Sequence, residues 1–194
     1  MKKIFFTIPL LLLIGCSTTQ KSIKKQDYWA KPVQEVKLEN FHQVDSKIYR
    51  SAQPSEDDFR QLYNYGIRND LNLRQFHDDK EKLKNLPIKY YRIPINTSKM
   101  SYEQLVEAVA YLSKSNGKTL VHCLHGSDRT GTVIAGYRIA IEDWDKKKAI
   151  DEFINGGYGY HSFWFPNLPE LLNSLDILKF KSDIKHFQFK THTK

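Results

Sequence analysis

The segment Val121-His-Cys-Leu-His-Gly-Ser-Asp-Arg-Thr-Gly131 constrains this 194-residue chain more than any other. Thr119-Leu-Val-His122 leads into it and is short and apolar enough for a buried strand; Thr130 to Glu142, an apolar helical stretch, leads out. A strand that passes through a tight loop into a helix turns the helix's first unpaired backbone N–H groups toward that loop. With the helix dipole behind them, those donors hold an anion such as phosphate without a metal. Gly126 allows the loop to close tightly enough for them to converge.

The side chains in the loop add chemistry to the cradle. Cys123 sits at its mouth, where the field that attracts an anion also favours thiolate; cysteines so placed titrate at roughly 3.5 to 7.5 instead of about 8.5. Arg129 brings a planar fork that grips two phosphate oxygens at once, which lysine does not do equally well. Thr130 can donate its hydroxyl to the sulfur, and the ring of His122 can bond loop carbonyls and hold the loop's shape. The phosphate-binding set is thus Leu124, His125, Gly126, Ser127, Asp128, Arg129 and Thr130, with His125 either a donor at the rim or an exposed loop residue. A metal site of His122, Cys123 and His125 is the competing use, but it has only three ligands and leaves Arg129 without a role.

The surrounding pattern alternates strands with helices. Phe41 to Val44 and Lys47 to Arg50 read as a short hairpin around Asp45-Ser46, followed by a helix capped at Ser55 and closed by Gly66. Ile67 to Leu73 and Ile88 to Ile95 read as strands on either side of a charged helical stretch, His77 to Leu86. Ser101 and Gln104 form a capping box for a helix that ends at Asn116-Gly117. Further helices are expected at Asp145 to Asn155 and Leu171 to Phe180. This order predicts an α/β domain with a mainly parallel central sheet flanked by helices.

The ends of the chain read differently. Met1-Lys2-Lys3 and the apolar run Ile4 to Ile14 form a secretory signal peptide, too short for the roughly 20 residues that span a bilayer. Residues 16–39 are expected as a polar N-terminus and linker, residues 40–180 as the folded domain, and residues 181–194 as a basic tail. Net charge is +8, from 30 Lys or Arg against 22 Asp or Glu. The cluster Lys21, Lys24 and Lys25 reads as a solvated tether that also favours anionic headgroups, and the basic tail as a solvated end with no nucleic acid bound. Cys16 and Cys123 are the only cysteines, so no disulfide framework is expected.

Two resemblances sharpen this reading. Leu13-Ile14-Gly15-Cys16 resembles the lipobox of bacterial lipoproteins, which implies cleavage before Cys16 and a lipid on its sulfur. The place implied is the bacterial cell envelope, with the domain tethered to a membrane. Ser17 matches the pattern that permits sorting to an outer membrane. His-Cys-x5-Arg-Thr resembles the signature of the cysteine-dependent protein tyrosine and dual-specificity phosphatases, met here by His122, Cys123, Gly126, Arg129, Thr130 and Gly131. Ile48 to Pro54, Asp70 to Arg74 and Gly156 to His161 resemble the compact bacterial members more weakly, so the likeness runs from about residue 40 to 165. It implies a protein tyrosine phosphatase-like fold, attack by Cys123 on phosphorus, a phosphocysteine intermediate, and hydrolysis with no metal or other cofactor.

The general acid departs from the family pattern. The usual aspartate, about thirty residues before the cysteine, falls on Arg92 to Lys99, where Asn96 stands and no carboxylate is present. Asp128 matches the x-Asp-Arg-Thr of myotubularin-type lipid phosphatases, whose aspartate is proposed as the acid; its other role is a helix N-terminal charge. Asp78 or Asp79 is the second candidate. Arg74 is either a further phosphate contact or the partner of a core carboxylate, and Tyr158, Tyr160, His161 and Trp164 either wall the pocket or belong to the core. The expected substrate is a phosphotyrosine protein or another phosphomonoester, since phenol, with a pKa of about 10, leaves more readily than an alkanol. Phosphoinositides or inositol polyphosphates are the alternative, and a non-catalytic phospho-ligand-binding lipoprotein is the alternative outside enzymes.

Overall fold

The computed structural model describes residues 26–189, so Cys16, the leader and the last five residues lie outside it. Six strands form one sheet: β1 (Lys31–Pro32), β2 (His42–Gln43), β3 (Ile48–Ser51), β4 (Ile67–Arg74), β5 (Lys89–Ile95) and β6 (Lys118–His122). Their spatial order is β1-β2-β3-β6-β4-β5. β1, β2 and β3 run antiparallel, whereas β3, β6, β4 and β5 are parallel. The expected mainly parallel sheet is therefore present, with an antiparallel edge.

Strand alternation divides the apolar residues between two cores. In β6, Leu120 joins a smaller core with Tyr49, Ile67 and the α1 (Glu56–Tyr65) residues Phe59 and Leu62. Val121 joins a larger core that also takes Ile48, Leu71 and Leu73. The helices of that second face are α3 (Tyr102–Lys114), α4 (Asp128–Ala140), α5 (Lys146–Asn155), α6 (Asn167–Asn173) and α7 (Ile177–His186), with the short α2 (Lys80–Leu83) on the α1 side. Arg129 is the one residue of α4 that is not buried, so the helix presents to the surface only the side chain the cradle needs. A Cβ on Gly131 would lie 2.4 Å from Phe153 Cδ2, so this signature glycine is required for the close packing of α4 on α5.

Local signals hold where they were read. Ser55 caps α1 in a reciprocal box with Asp58, and Gly66 closes it at φ 108°. Ser101 and Gln104 cap α3 in the same way. Three expectations change. The linker is folded from Trp29 onward: Trp29, Ala30 and Val36 are buried, β1 pairs with β2, and Ala30 N donates to Glu152 Oε1 at 2.7 Å. The stretch His77 to Leu86 is helical only over α2, because the His77 carbonyl is taken by Asn72 Nδ2 at 3.1 Å and Asp79 is drawn inward. The last helix divides into α6 and α7, with Asp176 capping the second by accepting from Lys179 N at 3.1 Å. Consequently the expected tail is helical to His186, and Phe187 and Phe189 pack on the core.

Candidate active site

Because β6 is flanked by two parallel neighbours, Ser51, Asn72 and His122 come level at the carboxyl edge of the sheet. The loop after His122 leaves the sheet there, where parallel sheets bind ligands. Its four successive carbonyls each meet a donor from outside the cradle. Cys123 O lies 3.1 Å from His122 Nδ1, and Leu124 O accepts from Gln53 N at 3.0 Å. His125 O accepts from Asn40 Nδ2 at 2.9 Å, and Gly126 O accepts from Arg50 Nη2 at 2.6 Å. With its acceptors turned outward, the loop turns its N–H groups inward onto the sulfur. Gly126 makes the turn at φ 72°, and a Cβ there would stand 2.4 Å from Ser51 O, so no other residue fits.

Cys123 is buried at the bottom of this ring. Burial alone pushes its thiol up, but the Arg129 charge, the Thr130 hydroxyl and the N–H groups of Thr130 and Gly126 outweigh it and hold the thiol below its ordinary value. Arg129 is anchored by Nη1, which donates to the carbonyls of Leu73 and Ile95 at 3.3 Å each, where β4 and β5 end. Its Nε is buried with no hydrogen-bond partner among the described residues, so one edge of the fork stays available to an anion. Phe76, Leu124 and Phe165 line the cleft outside it, together with Asn96.

Beneath the loop lies a buried charge cluster. His122 Nε2 faces Asp70 Oδ1 at 3.4 Å and Asp79 Oδ2 at 3.3 Å. Burial opposes a charged ring, yet the two carboxylates prevail and push His122 up to about 9. Arg74 Nη2 donates to Asp79 Oδ1 at 2.8 Å, and Lys82 Nζ lies 3.0 Å from the same oxygen. Despite burial, His122 together with Lys82 and Arg74 holds Asp79 well below the usual carboxylate range, while burial raises Asp70. Asp70, Asp79 and His122 bring three ligand atoms within 4.8 Å of one another, the geometry of a small cation site. A metal ligand must be a neutral imidazole, and these two carboxylates favour the charged ring, so the residues fit an ion cluster better than a metal.

A family model described as the tyrosine phosphatase family matches residues 35–158. The chain belongs to that family. The dual specificity protein phosphatase TpbA of Pseudomonas aeruginosa is 28% identical over 122 residues, covering 62% of this chain and 56% of the relative. The match thus spans little more than half of the relative's own length. A P. aeruginosa TpbA crystal structure in complex with pTyr has a TM-score of 0.74 at 22% identity, covering 84% of this chain and all of that one. The catalytic core of the Saccharomyces cerevisiae PP-IP phosphatase Siw14 has a TM-score of 0.61 at 22% identity, covering 78% and 98%. At these identities the two structures establish a shared fold.

Within this tyrosine phosphatase frame, the signature residues share one loop around Cys123, and the acid candidates separate. Asp79 is fully buried and spent on Arg74, Lys82 and His122, so it neither reaches the cleft nor carries a proton. Asp78 is exposed and caps the turn into α2 by accepting from Lys80 N at 2.7 Å. Asp128 pairs with neither the cleft nor Arg129; its Oδ1 accepts from His161 N at 2.9 Å and its Oδ2 faces His161 Nδ1 at 2.9 Å. Asn96 does lie at the cleft, with its Oδ1 taken by Ser98 N. Arg74 is the partner of a core carboxylate, Tyr158 is buried, Trp164 is exposed, and His161 lines a second groove beside the cradle.

Sequence reasoning missed Arg50 and Asn40. Arg50 is fully buried, stacks 3.8 Å over the Tyr158 ring and holds the Gly126 carbonyl, a role that a charged residue in a short strand does not advertise. Asn40 bridges His125 O and Tyr158 O from a left-handed backbone at φ 55°. Its position just ahead of the hairpin was the available signal, because asparagine tolerates that conformation.

The His122 cluster predicts a pH signature. The folded ring keeps its proton to about 9 against an ordinary 6.5, so its contribution to stability is complete below 6.5 and is lost as pH rises through 9. In a Cys123→Ser background, which removes the thiol's own titration, the urea midpoint should fall across that window. Adding His122→Asn should flatten the fall, and equal slopes with and without His122 would contradict a buried imidazolium.

Proposed function

We propose that this chain hydrolyses phosphomonoesters through Cys123, with phosphotyrosine as the preferred group. The observation that carries the reading is the buried Cys123 sulfur, whose thiol Arg129, Thr130 and the N–H groups of Thr130 and Gly126 hold below its ordinary value. The thiolate attacks phosphorus, forming the S–P bond as the ester P–O bond breaks. Water then attacks the phosphocysteine, the S–P bond breaks, and the thiolate returns to the same donors. Arg129 takes two equatorial oxygens through its free edge, while the main-chain donors take the charge that develops on the transferring group. An aromatic substrate is favoured by the apolar side chains of Phe76, Leu124 and Phe165 that line the cleft. The pTyr held by the TpbA structure supports the same choice.

The inositol polyphosphate reading has support in the fold shared with Siw14, a PP-IP phosphatase. One assay separates the two: phosphate release from phosphotyrosine peptide, phosphoserine peptide and phytate. The account expects phosphotyrosine to lead by about tenfold or more in kcat/KM, and Cys123→Ser to abolish release while still binding the peptide; preference for phytate would overturn the protein-phosphatase label. No activity in the wild type would favour a non-catalytic binder.

For the N-terminus we propose lipidation at Cys16 and residence in the bacterial envelope. The basic start, the apolar run and the box Leu13-Ile14-Gly15-Cys16 support it. Cys16→Ser should move the protein from the membrane fraction to the soluble one and stop incorporation of labelled fatty acid. Unchanged incorporation would remove the anchor.

A further inference from the structure

Departure of an ester oxygen is assisted by a proton donor, and among the described residues no carboxylate lines the cleft to act as one. Asn96 carries an amide, and Asp79 is fixed as an anion beneath the loop. Asp128 is engaged differently. An ionised carboxylate only accepts hydrogen bonds, so the contacts of 2.9 and 3.1 Å between its oxygens and His161 Nδ1 place the ring hydrogen on Nδ1. That leaves Nε2 as the ring's working nitrogen. This is the arrangement by which a carboxylate orients a catalytic imidazole.

The segment that carries the ring is fastened to the cradle at several points. Asn40 Nδ2 ties Tyr158 O to His125 O, and Asp128 Oδ1 accepts from His161 N. A Cβ on Gly159 would lie 3.1 Å from Ser127 Oγ, so the two strips of chain touch directly. Beyond the ring, Trp164 N and Phe165 N both donate to His161 O at 3.1 Å. His161 itself is exposed and borders the groove that His125 and Ser127 of the cradle also line, while Leu124, next to His125, lines the cleft, so the cradle is the rim the two share. Its ring centroid is 5.8 Å from that of His125. Since Asp128 directly precedes Arg129 in the first turn of α4, the ring is tied to the residue beside the phosphate-gripping guanidinium.

We propose that His161, oriented by Asp128, is the proton donor to the leaving oxygen, taking the place of the missing aspartate. The inference rests on the phosphatase reading above. In the first step the P–O ester bond breaks as the S–P bond forms, and Nε2–H passes its proton to the departing oxygen. In the second step the neutral ring accepts a proton from the attacking water as the S–P bond breaks, which restores the imidazolium and the thiolate. Asp128 is then a positioning residue, and His161 the catalytic one. The charged and titratable groups around the ring are Asp128 on α4, His125 on the cradle, Tyr160 beside it, and Glu39 and His42 across the groove.

The test compares phenyl phosphate with p-nitrophenyl phosphate, whose leaving group departs without help, on the purified protein. For His161→Gln, the ratio of the phenyl to the p-nitrophenyl kcat/KM should fall about 10²-fold relative to wild type, the scale of lost general acid catalysis. His161→Gly should regain phenyl phosphate activity when imidazole is added, a rescue that a merely structural role would not show. Asp128→Asn should lower the ratio less, because the ring keeps its proton donor and loses only its orientation. An unchanged ratio in His161→Gln would overturn the proposal, and so would a collapse confined to Asp128→Asn, which would make Asp128 the acid itself. A wild type that turns over neither ester would remove the phosphatase reading, and this proposal with it.

Discussion

The site depends on where four carbonyl groups point. A loop of consecutive peptides has as many acceptors as donors, and it can gather its donors around an anion only if the acceptors find partners elsewhere. Here the partners come from His122, from the backbone of Gln53, from Asn40 and from Arg50. Each is held by a different part of the fold: the end of the central strand, the turn after β3, the chain ahead of the hairpin, and β3 itself. Leaving the buried Cys123 or Gly126 carbonyl unpaired would cost about 1–3 kcal/mol, so the loop's conformation depends on the fold around it as well as on its own sequence.

The same logic explains why so much charge is buried under an otherwise apolar sheet. Arg50, Arg74, Asp70, Asp79 and His122 are all inaccessible, and a packed hydrophobic set of equal volume would commonly be as stable or more so. Their use is geometric. Asp70 and Asp79 keep His122 protonated, and a protonated ring has two N–H groups, one for the carboxylates and one for the Cys123 carbonyl. Arg50 combines a charge-assisted bond to Gly126 with a face laid on Tyr158. Tyr158 in turn begins the segment that delivers His161, so the cradle and its flanking groove are braced by one set of contacts.

What could be read from the sequence was what is local along the chain. The boxes Ser55–Asp58 and Ser101–Gln104, the closing Gly66, and the strand, loop and helix around Cys123 use residues within a few positions of one another. The contacts that escaped join distant segments: Ala30 to Glu152, Asn40 to His125, Asp128 to His161. A polar stretch such as residues 29–39 reads as linker because its anchors, Trp29, Ala30 and Val36, are single apolar residues without a period. Asp78 and Asp79 were indistinguishable as letters, yet one faces solvent and the other is sealed in the core, a difference created by Arg74, Lys82 and His122. Asp128 was recognised as unusual from its place beside Arg129, but its partner lies 33 residues further along the chain.

The most direct test of the inward-facing cradle is the titration of Cys123 followed by thiolate ultraviolet absorbance, taken as the difference between Cys16→Ser and Cys16→Ser/Cys123→Ser proteins. Donors converging on the sulfur require a midpoint well below the ordinary thiol value of about 8.5. A midpoint at or above that value would mean that burial prevails over the ring of donors, and the account of this loop as an anion cradle would fail.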